Sequence, residues 1–224
     1  MKNTIIIALV AVLFSSCAQE ISRGKQYPKL YEEKPVSIAI MPPINQTDFV
    51  EAKDFFYTTL YMPLCEKGYY VFSPYLTMEM FQSESAYDSE MFLEKDLSAF
   101  RNVLGADAAM FTIIKSWKRS NIGGVLTVRI EYILRSTTTG ETLYQREGLI
   151  SVDTSVSSSG GGLLGSLVDL AATALNTALT DKVVAGRKCT AFVLSDMPVG
   201  KYSPAFGTDE LAPAGKSYIE ATVR

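Results

Sequence analysis

Val36-Ser37-Ile38-Ala39-Ile40-Met41-Pro42-Pro43 is the stretch on which the fold turns. Its first six residues are apolar or β-branched with only Ser37 interrupting them, which suits a strand buried on both faces; the two prolines cannot donate to a ladder and force an extended exit. Strands of that kind belong to parallel sheets flanked by helices. Downstream, Phe55, Phe56, Thr59, Leu60, Met62 and Leu64 recur at mostly helical spacing between Glu51 and Cys65, with Pro63 expected to kink or end the helix and Lys67-Gly68 to close it. Tyr69 to Phe72 reads as a second strand, stopped by Ser73-Pro74. A short helical stretch at Leu76 to Phe81 and a helix from Leu93 to Leu104, capped by Gly105, lead to a third apolar strand at Ala108 to Ile114. Strand, helix, strand, helix, strand is the order of a parallel unit with right-handed crossovers.

Beyond it the pattern becomes alternating. Leu126, Val128, Ile130, Tyr132 and Leu134 share one face, and Thr127, Arg129, Glu131 and Ile133 the other; Thr137 to Gly140 supplies a turn, and Thr142 to Val152 returns. The expected fold class is therefore α/β, in two or three layers: a parallel βαβαβ half, an antiparallel hairpin at its edge, and a long C-terminal helix from Leu163 to Val184 ended by Gly186. Thr190 to Leu194 is expected to add a final strand. The alanine-rich face of the long helix suits docking on the sheet or, in a homodimer, a seam between copies. The body is expected over 35–198, with 199–224, rich in Pro and Gly, as an extended tail.

Upstream of the body the sequence reads as an export signal over residues 1–16: Lys2, an apolar run from Thr4 to Phe14, then Ser15-Ser16 before Cys17. The run is too short to span a bilayer, which takes roughly 20 residues. Cys17 is the expected lipidation site, its thiol accepting the diacylglycerol, although Phe14 stands where Leu is usual. Ala18 follows where an Asp would favour retention at the inner membrane, so the expected address is the outer membrane facing the periplasm, with the cell surface as the alternative. Residues 17–34, polar and without apolar periodicity, are expected to form a flexible tether reaching roughly 50 Å.

Composition narrows the chemistry. The chain contains no histidine, which removes the usual general base near neutral pH and the commonest metal ligand. Lys and Arg are scattered and the net charge is −3, so a phosphate-tracking stripe, and with it nucleic-acid binding, is disfavoured. After lipidation two cysteines remain, Cys65 and Cys189; they are able to pair in an oxidising compartment, while the apolar phase of Cys65 suits a buried thiol. Gly160 and Gly165 have phosphate-loop spacing, but Ser166 and Leu167 occupy the place of the required lysine. The acidic group Glu84, Asp88, Glu90, Glu94 and Asp96 lacks calcium-loop spacing and reads as a solvated face, and Asp107 as a cap or turn. The aromatic residues between Phe55 and Tyr75, with Trp117, read as core, the alternative being a partner groove. No catalytic residue, metal site or cofactor emerges.

The Cys17 signal, Ile40-Met41-Pro42-Pro43-Ile44-Asn45, Pro63-Leu64-Cys65-Glu66-Lys67-Gly68-Tyr69-Tyr70-Val71-Phe72, Gly105-Ala106-Asp107-Ala108-Ala109 and Thr139-Gly140-Glu141-Thr142-Leu143 together resemble a family of bacterial lipoproteins whose domain is similar to the N-terminal domain of TolB. The resemblance covers about residues 35–200. It implies an α/β fold, an envelope location, no established catalytic residues, and a place beside a curli-secretion-like lipoprotein in a secretion or transport assembly. The expected function is thus a non-enzymatic accessory lipoprotein bound to the membrane through Cys17 and to an envelope protein partner. A periplasmic regulator of a cell-wall synthase is the alternative, and a carboxylate-based enzyme the remote one.

Overall fold

The buried run Ser37–Ile40 forms an inner strand of a sheet whose two faces are covered unequally. The computed structural model describes residues 21–83, 89–120, 125–153 and 178–223. In chain order the elements are α1 (Arg23–Gln26), α2 (Pro28–Glu33), β1 (Ser37–Ile40), β2 (Ile44–Asn45), α3 (Ala52–Tyr57), α4 (Tyr61–Glu66), β3 (Tyr70–Val71), α5 (Pro74–Ser83), α6 (Glu90–Leu93), α7 (Ser98–Leu104), β4 (Ala108–Arg119), β5 (Val125–Ser136), β6 (Thr142–Asp153), α8 (Ala178–Val193) and β7 (Tyr218–Val223). The seven strands make one sheet in the order β3-β1-β4-β5-β6-β7, with β2 also against β4. β3, β1, β2 and β4 run parallel, β5 and β6 form an antiparallel hairpin with β4, and β7 lies parallel to β6. The α/β class with a parallel half and a hairpin is as expected. Pro42 and Pro43 interrupt the edge of β4: β1 pairs with Ala108–Met110, and pairing resumes at Ile113 with β2.

One face carries the main core, where Phe56, Leu64, Ala185, Cys189 and Val193 from the helices and Leu60 between α3 and α4 meet Ile38, Ile40, Met110, Ile130 and Tyr132 from the strands. On the other face Phe81, Leu97 and Phe100 cover Met41, Ala109 and Phe111. That second layer of helices stops short of β6 and β7. Three layers over β1 and β4 therefore become two over β6 and β7, among the described residues.

Several local expectations are corrected. Pro63 does not end a helix; it is the third residue of α4, where its missing N–H has no intrahelical partner to lose, and the break falls at Thr58–Leu60 instead. Gly186 does not terminate the long helix, nor is Thr190 to Leu194 a strand, because α8 continues to Val193. A Cβ at Gly186 would lie 3.1 Å from Thr59 Cγ2, and one at Gly148 would lie 2.5 Å from Val193 Cγ2. Both glycines serve close approach of α8, to α3 and to the sheet, and the helix is held by packing rather than by propensity. Residues 163–177, the first part of that expected helix, lie outside the described residues, as do Gly160, Gly165 and Ser166.

The expected tether is also corrected: residues 21–34 belong to the body. Tyr27 and Leu30 are 4% and 3% exposed within the main core. The periodicity of one turn and a half of helix, with two buried residues, is too brief to register in sequence. The tail is built in as well, since Tyr218–Val223 pairs with β6 in register and a backbone bridge joins Ser22 to Pro213.

Candidate functional site

On the face that the helices leave open, strand alternation puts Lys115 of β4, Arg129 and Glu131 of β5, Gln145 and Glu147 of β6 and Tyr218 of β7 together. Glu131 is directly opposite Glu147 in the β5–β6 register, and Glu147 opposite Tyr218 in the β6–β7 register. Lys115 Nζ lies 2.7 Å from Glu131 Oε2 and 2.5 Å from Glu147 Oε2. Arg129 Nε donates to Glu147 Oε1, Gln145 Nε2 donates to Glu131 Oε1 at 2.6 Å, and the Arg129 guanidinium sits 5.8 Å from the centre of the Tyr218 ring. Burial would raise the Glu147 carboxyl, but hydrogen bonds from Lys115 and Arg129 outweigh it and hold the group below the usual carboxylate range. Burial would lower Lys115, and the two glutamates reverse that, raising it. Each carboxylate is matched by a cation, so the cluster holds a flat, polar surface in place and offers no unpaired base.

A groove of about 610 Å³ opens beside this cluster. Gln26, Tyr27, Pro28 and Lys29 form one wall, Ser217 and Tyr218 the other, and Thr142 to Gln145 the floor. Its geometry follows from the sheet edge. β7 pairs with β6 only from Glu147 onward, so among the described residues no strand accompanies the outer side of Thr142–Arg146. Such an edge accepts an extended segment through backbone hydrogen bonds.

Behind the groove lies a buried clasp. Arg146 NH1 lies 2.6 Å from Asp196 Oδ1, with the two side chains 5% and 7% exposed. The guanidinium also donates to Val193 O at 3.0 Å, Ser195 Oγ at 3.1 Å and Lys216 O at 2.9 Å. Asp196 accepts from Tyr27 OH at 2.8 Å, Tyr144 OH at 3.1 Å and Gly215 N at 2.9 Å. Burial first and Asp196 second raise the hydroxyls of Tyr27 and Tyr144, so both stay protonated donors. This clasp gathers the α1–α2 junction, β6, the end of α8 and the C-terminal segment; sequence reading missed it because its members are 169 residues apart in the case of Tyr27 and Asp196.

The residues singled out from sequence are dispersed. Cys17, Glu84 and Asp88 lie outside the described residues. Glu90 opens α6 and Glu94 follows its last residue. Asp96 accepts from the Ser98 hydroxyl and, at 3.1 Å, from its amide, which lower its pKa as a local cap. Asp107 is the cap expected of it: burial would raise its pKa, but Oδ2 accepts three bonds of 3.0 Å from Val36 N, Ser37 N and Ser37 Oγ, and these with Arg101 lower it. Cys65 and Cys189 are both free thiols, half-buried and buried; burial pushes the Cys189 thiol up to about 12. Trp117 packs on Phe49, Phe55 and Phe56 with ring centres 5.2, 6.4 and 5.8 Å away, as core, whereas Tyr61, Tyr70 and Tyr75 are exposed. No group of three or more potential metal-ligating side chains converges among the described residues.

The family described as "Putative lipoprotein GNA1162-like" matches residues 25–198. The chain belongs to the GNA1162-like lipoprotein family. A protein of Neisseria meningitidis serogroup B described as "Putative lipoprotein NMB1124/NMB1162" is 27% identical over 193 residues, covering 85% of this chain and 89% of its own length. The crystal structure of lipoprotein GNA1162 from Neisseria meningitidis superposes with a TM-score of 0.52 at 26% identity, covering 62% of this chain and 96% of that one. The GNA1162-like match ends before Asp209 and β7, so the strand that forms one wall of the groove lies beyond the matched span.

Proposed function

We propose that the chain is exported, lipidated at Cys17 and held on the periplasmic face of the outer membrane as a non-enzymatic accessory protein of a secretion or transport assembly. The observation that carries this reading is the groove beside the stretch of β6 at Thr142–Gln145 that no described strand pairs with on its outer side, between α2 and β7 and bordered by the paired charges of Lys115, Arg129, Glu131 and Glu147. A strand edge in a polar groove takes an extended segment of another envelope protein, for which a curli-secretion-like lipoprotein is the first candidate. The accompanying charges are already paired, which suits recognition better than proton transfer. Regulation of a cell-wall synthase at a distance is less well supported, because residues 21–34 are folded into the body and leave only Ala18, Gln19 and Glu20 as spacer.

The experiment is site-specific photo-crosslinking in intact cells, with the crosslinker at Gln145 or at Val103 on α7, followed by mass spectrometry. One envelope protein captured reproducibly from Gln145 and not from Val103 is the expected result; equal, unspecific capture from both positions removes the basis of the reading.

A further inference from the structure

The corrected tether fixes where the body must sit. Ile21 O accepts a hydrogen bond from Ala214 N at 2.7 Å, Arg23 N donates to Ala212 O at 2.9 Å, and Gly24 N donates to Glu210 O at 2.9 Å. Arg23 pairs with Asp209 at 3.4 Å, and Asp209 also accepts from Val199 N at 2.9 Å. The first described residues are thereby laced to residues 209–214. On this surface Ile21 is 55% exposed and Leu211 88% exposed. Leu211 is thus an aliphatic side chain presented almost entirely to its surroundings from a segment whose backbone is pinned. Three residues separate Cys17 from Ile21. Fully extended, four Cα steps reach roughly 14 Å, and the headgroup layer of one leaflet takes about 5–8 Å of that.

We propose that the surface formed by Ile21 and Asp209–Ala214 is a membrane-contact face, resting on the lipid bilayer with Leu211 among the headgroups. The inference rests on lipidation at Cys17. A lipid surface is the occupant because the acyl-bearing residue cannot move farther from this face than the spacer allows, so the bilayer lies against the two exposed aliphatic side chains whatever else binds the protein. Charge contributes little: Lys25 and Glu210 are both exposed beside the contact, and Arg23 is paired with Asp209. The contact is therefore insensitive to salt. The groove over β6 stays close to the membrane too, since Gln26 and Tyr27 in its wall come three and four residues after Arg23.

The test uses the full lipoprotein reconstituted into vesicles of phosphatidylethanolamine and phosphatidylglycerol. A nitroxide is placed by Leu211→Cys in a Cys65→Ser background, the buried Cys189 remaining unlabelled, and by Val103→Cys for comparison. Collision with a water-soluble nickel complex is expected to fall about fivefold at position 211 on reconstitution, as an aliphatic position leaves water, and to stay unchanged at position 103 and in 0.5–1 M salt, well beyond screening of exposed charges. Vesicle flotation and the mass of the N-terminal peptide are read in parallel. Protein that floats and carries acyl chains but keeps full nickel access at 211 overturns the membrane-contact face while leaving the anchor intact. Protein that neither floats nor carries acyl chains overturns the anchor, and the face with it. Protection of 211 in a Cys17-less protein without vesicles assigns the surface to a second copy and overturns the lipid assignment.

Discussion

Glu131 and Glu147 stand directly opposite one another across β5 and β6. Two like charges in that relationship repel, and Lys115, reaching from β4 to both at 2.7 and 2.5 Å, turns the repulsion into a bridge. One ammonium group thus ties both glutamates, with Arg129 bonding Glu147 from the other side.

Lys115→Met should cost about 1 kcal/mol, roughly 2–4 °C in melting temperature for a chain of this size, with most of it regained in Lys115→Met/Glu147→Gln. Glu147 has its pKa depressed by folding, so its stabilising contribution is present above the ordinary glutamate value, about 4.3, and is lost as pH falls through the lower folded value. Thermal scans from neutral to acid pH should therefore show parent and Lys115→Met converging below that value. A constant gap across the range would contradict the bridge.

Asp196→Ala strands the Arg146 guanidinium in a site where it is 5% exposed, and is expected to destabilise by about 3–5 kcal/mol in urea unfolding. Tyr27→Phe removes one neutral donor to the same carboxylate and should cost about 1 kcal/mol. The double variant should fall well short of the sum, because the second change acts on a clasp already broken.

Native alkylation separates the two cysteines. At pH 8 iodoacetamide should modify the half-buried Cys65 slowly and leave Cys189 untouched until denaturant is added, since burial puts the latter thiol at about 12. Reducing agent should not change the melting temperature. A tryptic peptide pair linked by a disulfide would show the opposite.

Gly148→Ala places a methyl group 2.5 Å from Val193 Cγ2 and should cost about 1–3 kcal/mol through overpacking. Val193→Ala in the same chain should recover part of that loss, a rescue that a purely conformational role for the glycine would not give.

The parallel half and the hairpin were legible because their signal is local: the unbroken Val36–Met41 run, the alternation over Val125–Leu134 and the Thr137–Gly140 turn each contain their own evidence. Asp107 was legible as a cap for the same reason, Gly105 beside it ending α7 at φ 73°. What escaped was set by contacts far apart in the chain. Tyr27 and Leu30 are buried by partners from the other end of the sequence, Gly186 continues a helix because Thr59 is close to it, and Tyr218–Val223 becomes a strand only because β6 offers it an edge. The groove shared this fate. Lys115, Glu131 and Glu147 each look like an ordinary solvated charge until the register places them side by side.

The lacing of Arg23 to Asp209, 186 residues apart, also orders events in time. During synthesis the leading stretch of the body emerges long before its counterpart exists, and β6 waits for β7 in the same way. The closure between Arg23 and Asp209 cannot form before residue 209 has emerged. If the chain is exported, as proposed, that order leaves its closing contacts to form after it has crossed the membrane.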